Sequence, residues 1–114
     1  VYNLASHSHF YLANVFNTQY WNSHGGVLPG WIVGTAGAVR YALPPNWDDA
    51  RSAKTNVYGY LLGTVAADGE IDFQFHQIKE SDTPASVVNR FTPEFVHWCF
   101  AENSIVPKDA TAGK

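Results

Sequence analysis

Ser6-His7-Ser8-His9 is the stretch of this chain best equipped for chemistry. Two histidines at i and i+2 of an extended backbone project to the same side. Each imidazole can give one nitrogen to a metal ion at about 2.0–2.1 Å. The pair can also serve two ions lying side by side, about 3.5–4 Å apart. The competing reading is a turn at a strand end in which both histidines make ordinary hydrogen bonds.

Other residues invite functional readings. His24 lies beside Gly25-Gly26 and could reach a substrate phosphate, or could be a solvated loop residue. Arg40 could bind a phosphate as a bidentate donor, or could pair with Asp48 or Asp49. His76 and His97 read as structural. Tyr11, Tyr20, Trp21, Trp31 and Trp47 could form a substrate wall, though aromatics in such numbers suit a core or an interface. Cys99 in an apolar helix reads as an inert buried thiol. Gly34-x-x-Gly37 lacks the spacing of a dinucleotide or P-loop fingerprint, and close strand packing explains it better. A cupin site also uses His-x-His, but needs a Glu shortly after it; residues 10–23 contain no Glu, Asp or His.

These residues must be positioned by local structure. Residues 1–5 read as the end of a strand. Residues 9–16 are apolar and aromatic, which suits a buried strand. Residues 17–30 read as a loop rich in Asn, Ser, Gly and Pro. Residues 31–39 read as a central strand approached closely at Gly34 and Gly37. Residues 40–56, with Pro44-Pro45 and Asp48-Asp49, read as a long connection. Two β-rich runs, 57–65 and 71–78, flank Ala67-Asp68-Gly69-Glu70, a strong hairpin signature. In the second run Ile71, Phe73 and Phe75 share one face, and Asp72, Gln74 and His76 the other. Thr92-Pro93-Glu94 is a good helix start for residues 95–102. That helix is apolar almost all round and is expected to be buried.

Composition sets the outer bounds. The chain has 114 residues, enough for one small domain. It has no Met and begins with Val1, which reads as a cut or processed piece of a longer protein. Charged residues make up 15%, against about 25% for a typical domain. With four Trp, six Tyr and seven Phe, apolar surface should be left over to meet a partner. A net charge of −3 gives no footprint for nucleic acid or an anionic membrane. No apolar run approaches the roughly 20 residues of a spanning helix. The single Cys excludes an internal disulfide framework and leaves the compartment open.

Taken in order, Ser6-His7-Ser8-His9-Phe10-Tyr11, Phe16-Asn17-Thr18, Gly25-Gly26-Val27-Leu28-Pro29-Gly30 and Trp31-Ile32-Val33-Gly34-Thr35-Ala36-Gly37-Ala38 carry a resemblance. The order is similar to the end of the calcineurin-like metallophosphoesterases, the superfamily that includes purple acid phosphatases. Their last block is Gly-His-x-His, followed by strands, a hydrophobic-Gly-x-x-Gly strand beside the site, and a hairpin. The resemblance covers about residues 3 to 104, with Ser6 in place of the motif's first Gly. It implies that His7 ligates the second of two metal ions and His9 the first, the ions being Zn, Fe or Mn. It implies a bridging water activated for in-line attack on a phosphate ester. The family's other ligand blocks are Asp-x-His, Gly-Asp-x-x-Asp, Gly-Asn-His-Glu/Asp and a further lone His. They lie N-terminal to this point, and none occurs here. The chain alone is therefore expected to bind metal weakly or not at all and to be inactive on phosphate esters. Its first partner would be the missing N-terminal half of the same domain.

The expected fold is a β-rich α+β fragment: four to five mainly antiparallel strands with a β-hairpin and one C-terminal helix. By resemblance this is half of a four-layer α/β/β/α sandwich. Residues 1–105 would be the C-terminal portion of the metallophosphoesterase domain and 106–114 a polar tail. Two alternatives stay open: a non-catalytic β domain for protein interaction, and a small metal-binding module using His7, His9 and His24. Exposed strand edges would also allow self-association.

Overall fold

The computed structural model describes residues 1–43 and 53–105. Within them the chain is a small mixed α/β fold. Its strands are β1 (Asn3–Ala5), β2 (Tyr11–Leu12), β3 (Gly30–Val33), β4 (Arg40–Tyr41), β5 (Ala53–Lys54), β6 (Tyr58–Val65), β7 (Ile71–Ile78) and β8 (Ser104–Ile105). Its helices are α1 (Gln19–Ser23), α2 (Ala85–Phe91) and α3 (Pro93–Ala101), with a 3-10 turn at Glu80–Asp82.

The hairpin follows closely from its sequence. β6 and β7 pair antiparallel without a break from Tyr58↔Ile78 to Val65↔Ile71. The loop closes by Ala66 N–H donating to the Glu70 carbonyl at 2.8 Å and Gly69 N–H donating to the Ala66 carbonyl at 2.9 Å. The Asp68 carboxylate accepts the Glu70 N–H at 3.0 Å. Gly69 takes φ +87°, a left-handed conformation that a side chain would strain. Alternation along β7 puts Phe73 and Phe75 on one face, as the sequence predicts. Phe73 packs against Tyr2 and Trp31, with ring centroids 5.3 and 4.5 Å away. Phe75 stacks on Tyr11 at 4.1 Å. The hairpin thus lies on a four-stranded sheet.

That sheet has the order β1-β3-β2-β5. β1 and β3 are parallel; β3 with β2, and β2 with β5, are antiparallel. A separate parallel pair joins β4 to β8. On its other side the hairpin's first residue meets α3. Tyr58 O–H donates to the Cys99 carbonyl at 3.0 Å, and the Tyr58 ring meets Phe100 edge-on at 5.3 Å. The buried apolar core is Phe10, Tyr11, Leu12, Val57, Tyr58 and Val96.

Several expectations need correction. Among the described residues eight strands appear where four to five were expected; the pairings are mainly antiparallel, as expected, with two parallel ones. The surplus consists of two- and three-residue pieces, too short to show a periodicity. Within residues 9–16 only Tyr11–Leu12 is strand; the chain then turns through Asn14 at φ +53°. Within 31–39 the strand stops at Val33. The expected loop at 17–30 contains α1, with Thr18 as its N-cap. The long connection after residue 40 has short strands at both ends, held by Leu43 N–H donating to Thr55 Oγ1 at 3.1 Å. Pro44, Pro45, Trp47, Asp48, Asp49 and the 106–114 tail lie outside the described residues.

The C-terminal helix starts as expected, with Thr92 Oγ1 accepting the Phe95 N–H at 3.3 Å, but α2 runs directly into it. It is also less buried than its composition suggests. Only Val96 is buried, while Phe95 and Trp98 are 49% and 47% exposed. A helix apolar all round buries only the side that meets something. Here the hairpin takes the side carrying Phe100. No helix among the described residues is long and apolar enough to cross a membrane.

Candidate functional site

β1 ends at Ala5, and residues 7–10 pass through bends rather than extended backbone. The premise that two histidines alternate along a strand is therefore not met. His7 is exposed and His9 half-buried. His9 is held by strand β4 and the residue before it. Its carbonyl accepts the Tyr41 N–H at 3.0 Å, its Nδ1 lies 2.8 Å from the Val39 carbonyl, and its ring stacks on Tyr41 at 4.4 Å.

The Val39 contact decides the chemistry of the ring. A carbonyl oxygen can only accept, so Nδ1 must carry the proton. In the neutral imidazole the lone pair then sits on Nε2. This is the arrangement found in metal-binding histidines, whose other ring N–H is tied to a carbonyl or carboxylate.

β3 packs underneath. Gly34 N–H donates to the Phe10 carbonyl at 3.3 Å. A Cβ placed on Gly34 would lie 2.0 Å from the Ser8 carbonyl oxygen and 2.6 Å from that of Ser6. The close approach expected at Gly34 is thus made by the histidine turn itself, whereas Gly37, at φ +118°, has nothing within 4 Å of its would-be Cβ and serves a bend instead. The next residue, Thr35, is buried and ties β3 to the hairpin: its Oγ1 donates to the Gly59 carbonyl at 2.8 Å, and Gly59 N–H donates to the Thr35 carbonyl at 3.1 Å.

Comparison of the chain with protein-family models, curated proteins and solved structures found no match.

The other candidate residues stand apart from His9. Arg40 is buried; its Nε donates to the Asn103 carbonyl at 3.2 Å and its Nη1 to the Asn56 carbonyl at 3.1 Å. Its guanidinium lies 5.1 Å from the Tyr58 ring centroid. On β4 its side chain points opposite to that of Tyr41, away from the His9 ring. These contacts describe a residue that anchors β4 to the hairpin and to the end of α3. His24 caps α1: its Nδ1 is 2.7 Å from the Tyr20 carbonyl, and its ring stacks on Tyr20 at 4.4 Å. No hydrogen bond or ring contact among the described residues joins it to His7, His9 or Arg40. His76 stacks on Tyr60 at 5.2 Å, and its enclosed Nε2 has no hydrogen-bond partner among the described residues. His97 pairs with Glu80 at 3.1 Å on the surface. Cys99 is half-buried rather than buried.

Val39 and Tyr41 are the residues that sequence reasoning missed. Neither carries a signal of its own. Val39 acts through its carbonyl and Tyr41 through its N–H and ring.

Proposed function

We propose that this chain forms the C-terminal part of a dinuclear metal-dependent phosphoesterase and supplies two of its histidine ligands, His7 and His9. The carrying observation is the His9 Nδ1 contact to the Val39 carbonyl, which leaves Nε2 as the free lone pair. The donor set fits in part. Among the described residues no group of three or more His, Cys, Asp or Glu is placed to hold an ion. His7 and His9 therefore serve as two ligands of a site completed by other residues. Zn, Fe or Mn bound there would supply Lewis acidity toward a phosphate ester and its attacking water. This chain's own contribution is to orient the His9 ring and fix its tautomer. Arg40 contributes by holding β4, and with it Val39 and Tyr41; His24 would meet substrate from the α1 loop. In this reading the sheet and hairpin belong to the β layers of a four-layer α/β/β/α sandwich, and α3 is an outer helix.

A second reading, a non-catalytic β domain for protein interaction, draws on the exposed apolar residues Tyr60, Leu62, Phe95 and Trp98. Titration of the ¹⁵N-labelled chain with Co²⁺ separates the two. Because two ligands alone hold an ion weakly, the phosphoesterase reading expects paramagnetic shifts only at high Co²⁺ concentration, at His7 and at His9 Nε2 before any response from His24, His76 or His97. Equal broadening of all five histidines would count against it and favour the second reading.

A further inference from the structure

The His9 tautomer is set by Val39, but something must hold the His9 turn against β4. We infer that Gly34 is the positioning residue for His9: the space at its α-carbon is filled by the carbonyls of the turn that carries the histidine. A Cβ there would lie 2.0 Å from the Ser8 oxygen, 2.6 Å from the Ser6 oxygen and 2.7 Å from the Ser8 carbonyl carbon. All three are backbone atoms, so no rotamer change can relieve the overlap. The turn would have to move as a unit.

It is not free to move without consequence. The Ser8 carbonyl accepts the Phe10 N–H at 2.9 Å, and the Phe10 carbonyl accepts the Gly34 N–H at 3.3 Å. His9 lies between these two bonds. Lifting Ser8 off β3 therefore carries His9 away from Val39 and Tyr41, which hold it at 2.8 and 3.0 Å. The first bond to fail is the side-chain one, because it alone depends on both the backbone position and χ1 of His9. Once it is lost, nothing favours Nδ1–H, and the free imidazole exchanges its proton between the two nitrogens.

Gly30, at the start of β3, provides the control. A Cβ on Gly30 would also overlap, at 2.7 Å, but with the Phe16 ring, remote from the histidine turn. A residue that merely maintains the sheet would behave alike at both positions. A positioning residue would affect the His9 tautomer from Gly34 alone.

The inference rests on the phosphoesterase reading only for what His9 is used for. Its test needs neither metal nor substrate, so either can fail without the other. The measurement is a long-range ¹H–¹⁵N spectrum of the full chain, which reports the two nitrogens of His9 separately. The wild type and Gly30→Ala should show the Nδ1–H form as the dominant one. Gly34→Ala should lower the ratio of Nδ1–H to Nε2–H about five-fold, the worth of one ordinary hydrogen bond. A wild-type ratio in Gly34→Ala would overturn the inference, as would an equal fall in Gly30→Ala. If Gly34→Ala does not fold, the wild type still decides. A cross-relaxation peak between a Gly34 α-proton and the His9 amide proton supports the placement, and its absence refutes it.

Discussion

His9 shows how an imidazole is oriented by residues that carry no chemistry of their own. Its ring is fixed by one carbonyl and one aromatic face. Tyr11 and Thr92 make different demands at the same scale. Burial pushes the Tyr11 phenol above its ordinary pKa of 10.0. The folded chain therefore holds that proton after the unfolded chain has released it. Tyr11 contributes fully below pH 10, and stability falls as pH rises beyond it. Tyr11→Phe should flatten that alkaline loss, measured as urea midpoints between pH 9 and 11. Thr92 caps α3 at φ +71°, a conformation rare for a β-branched residue. Thr92→Ala should cost about 1 kcal/mol for the lost cap. Thr92→Gly should cost less, since glycine relieves the strain. The reverse order in urea unfolding would refute this account of Thr92. At this scale the sequence was legible in residue types but not in partners. His9 and Gly34 could be singled out, whereas Val39 is thirty positions from His9 and acts through its backbone.

Among the elements, the hairpin and the start of α3 were legible because local chemistry specifies them. Asp68-Gly69 dictates the turn, alternation dictates the faces of β7, and Thr92-Pro93 dictates the helix start. Gly69→Ala tests the turn. Its φ of +87° should make that change cost roughly 1–2 kcal/mol, read as a lower denaturation midpoint with no change in slope. The two- and three-residue strands were not legible, since pairing across the fold defines them. β4 is strand because Arg40 and Tyr41 lie beside Ser104 and Ile105. α1 and α2 escaped notice because they run for only five and seven residues, too short for a helical period to register in the sequence.

For the molecule as a whole, the notable property is how much apolar surface stays open. Gly59 N–H points away from β7 toward Thr35. By parity Leu61 and Gly63 turn their backbone groups the same way. β6 has no charge and no proline to protect that edge. Leu62 and Tyr60 beside it are about half exposed. The chain should therefore associate as its concentration rises, and Leu62→Lys should shift sedimentation toward the monomer. A strictly monomeric wild type at high concentration would refute this. The same openness is what a domain completed by further strands would show, which returns the question to the proposed site. Sequencing the coding DNA immediately upstream of the Val1 codon tests that claim most directly. The account predicts in-frame Asp-x-His, Gly-Asp-x-x-Asp and Gly-Asn-His blocks, the remaining ligands of a dinuclear phosphoesterase. A start codon directly upstream, with none of these blocks, would contradict it.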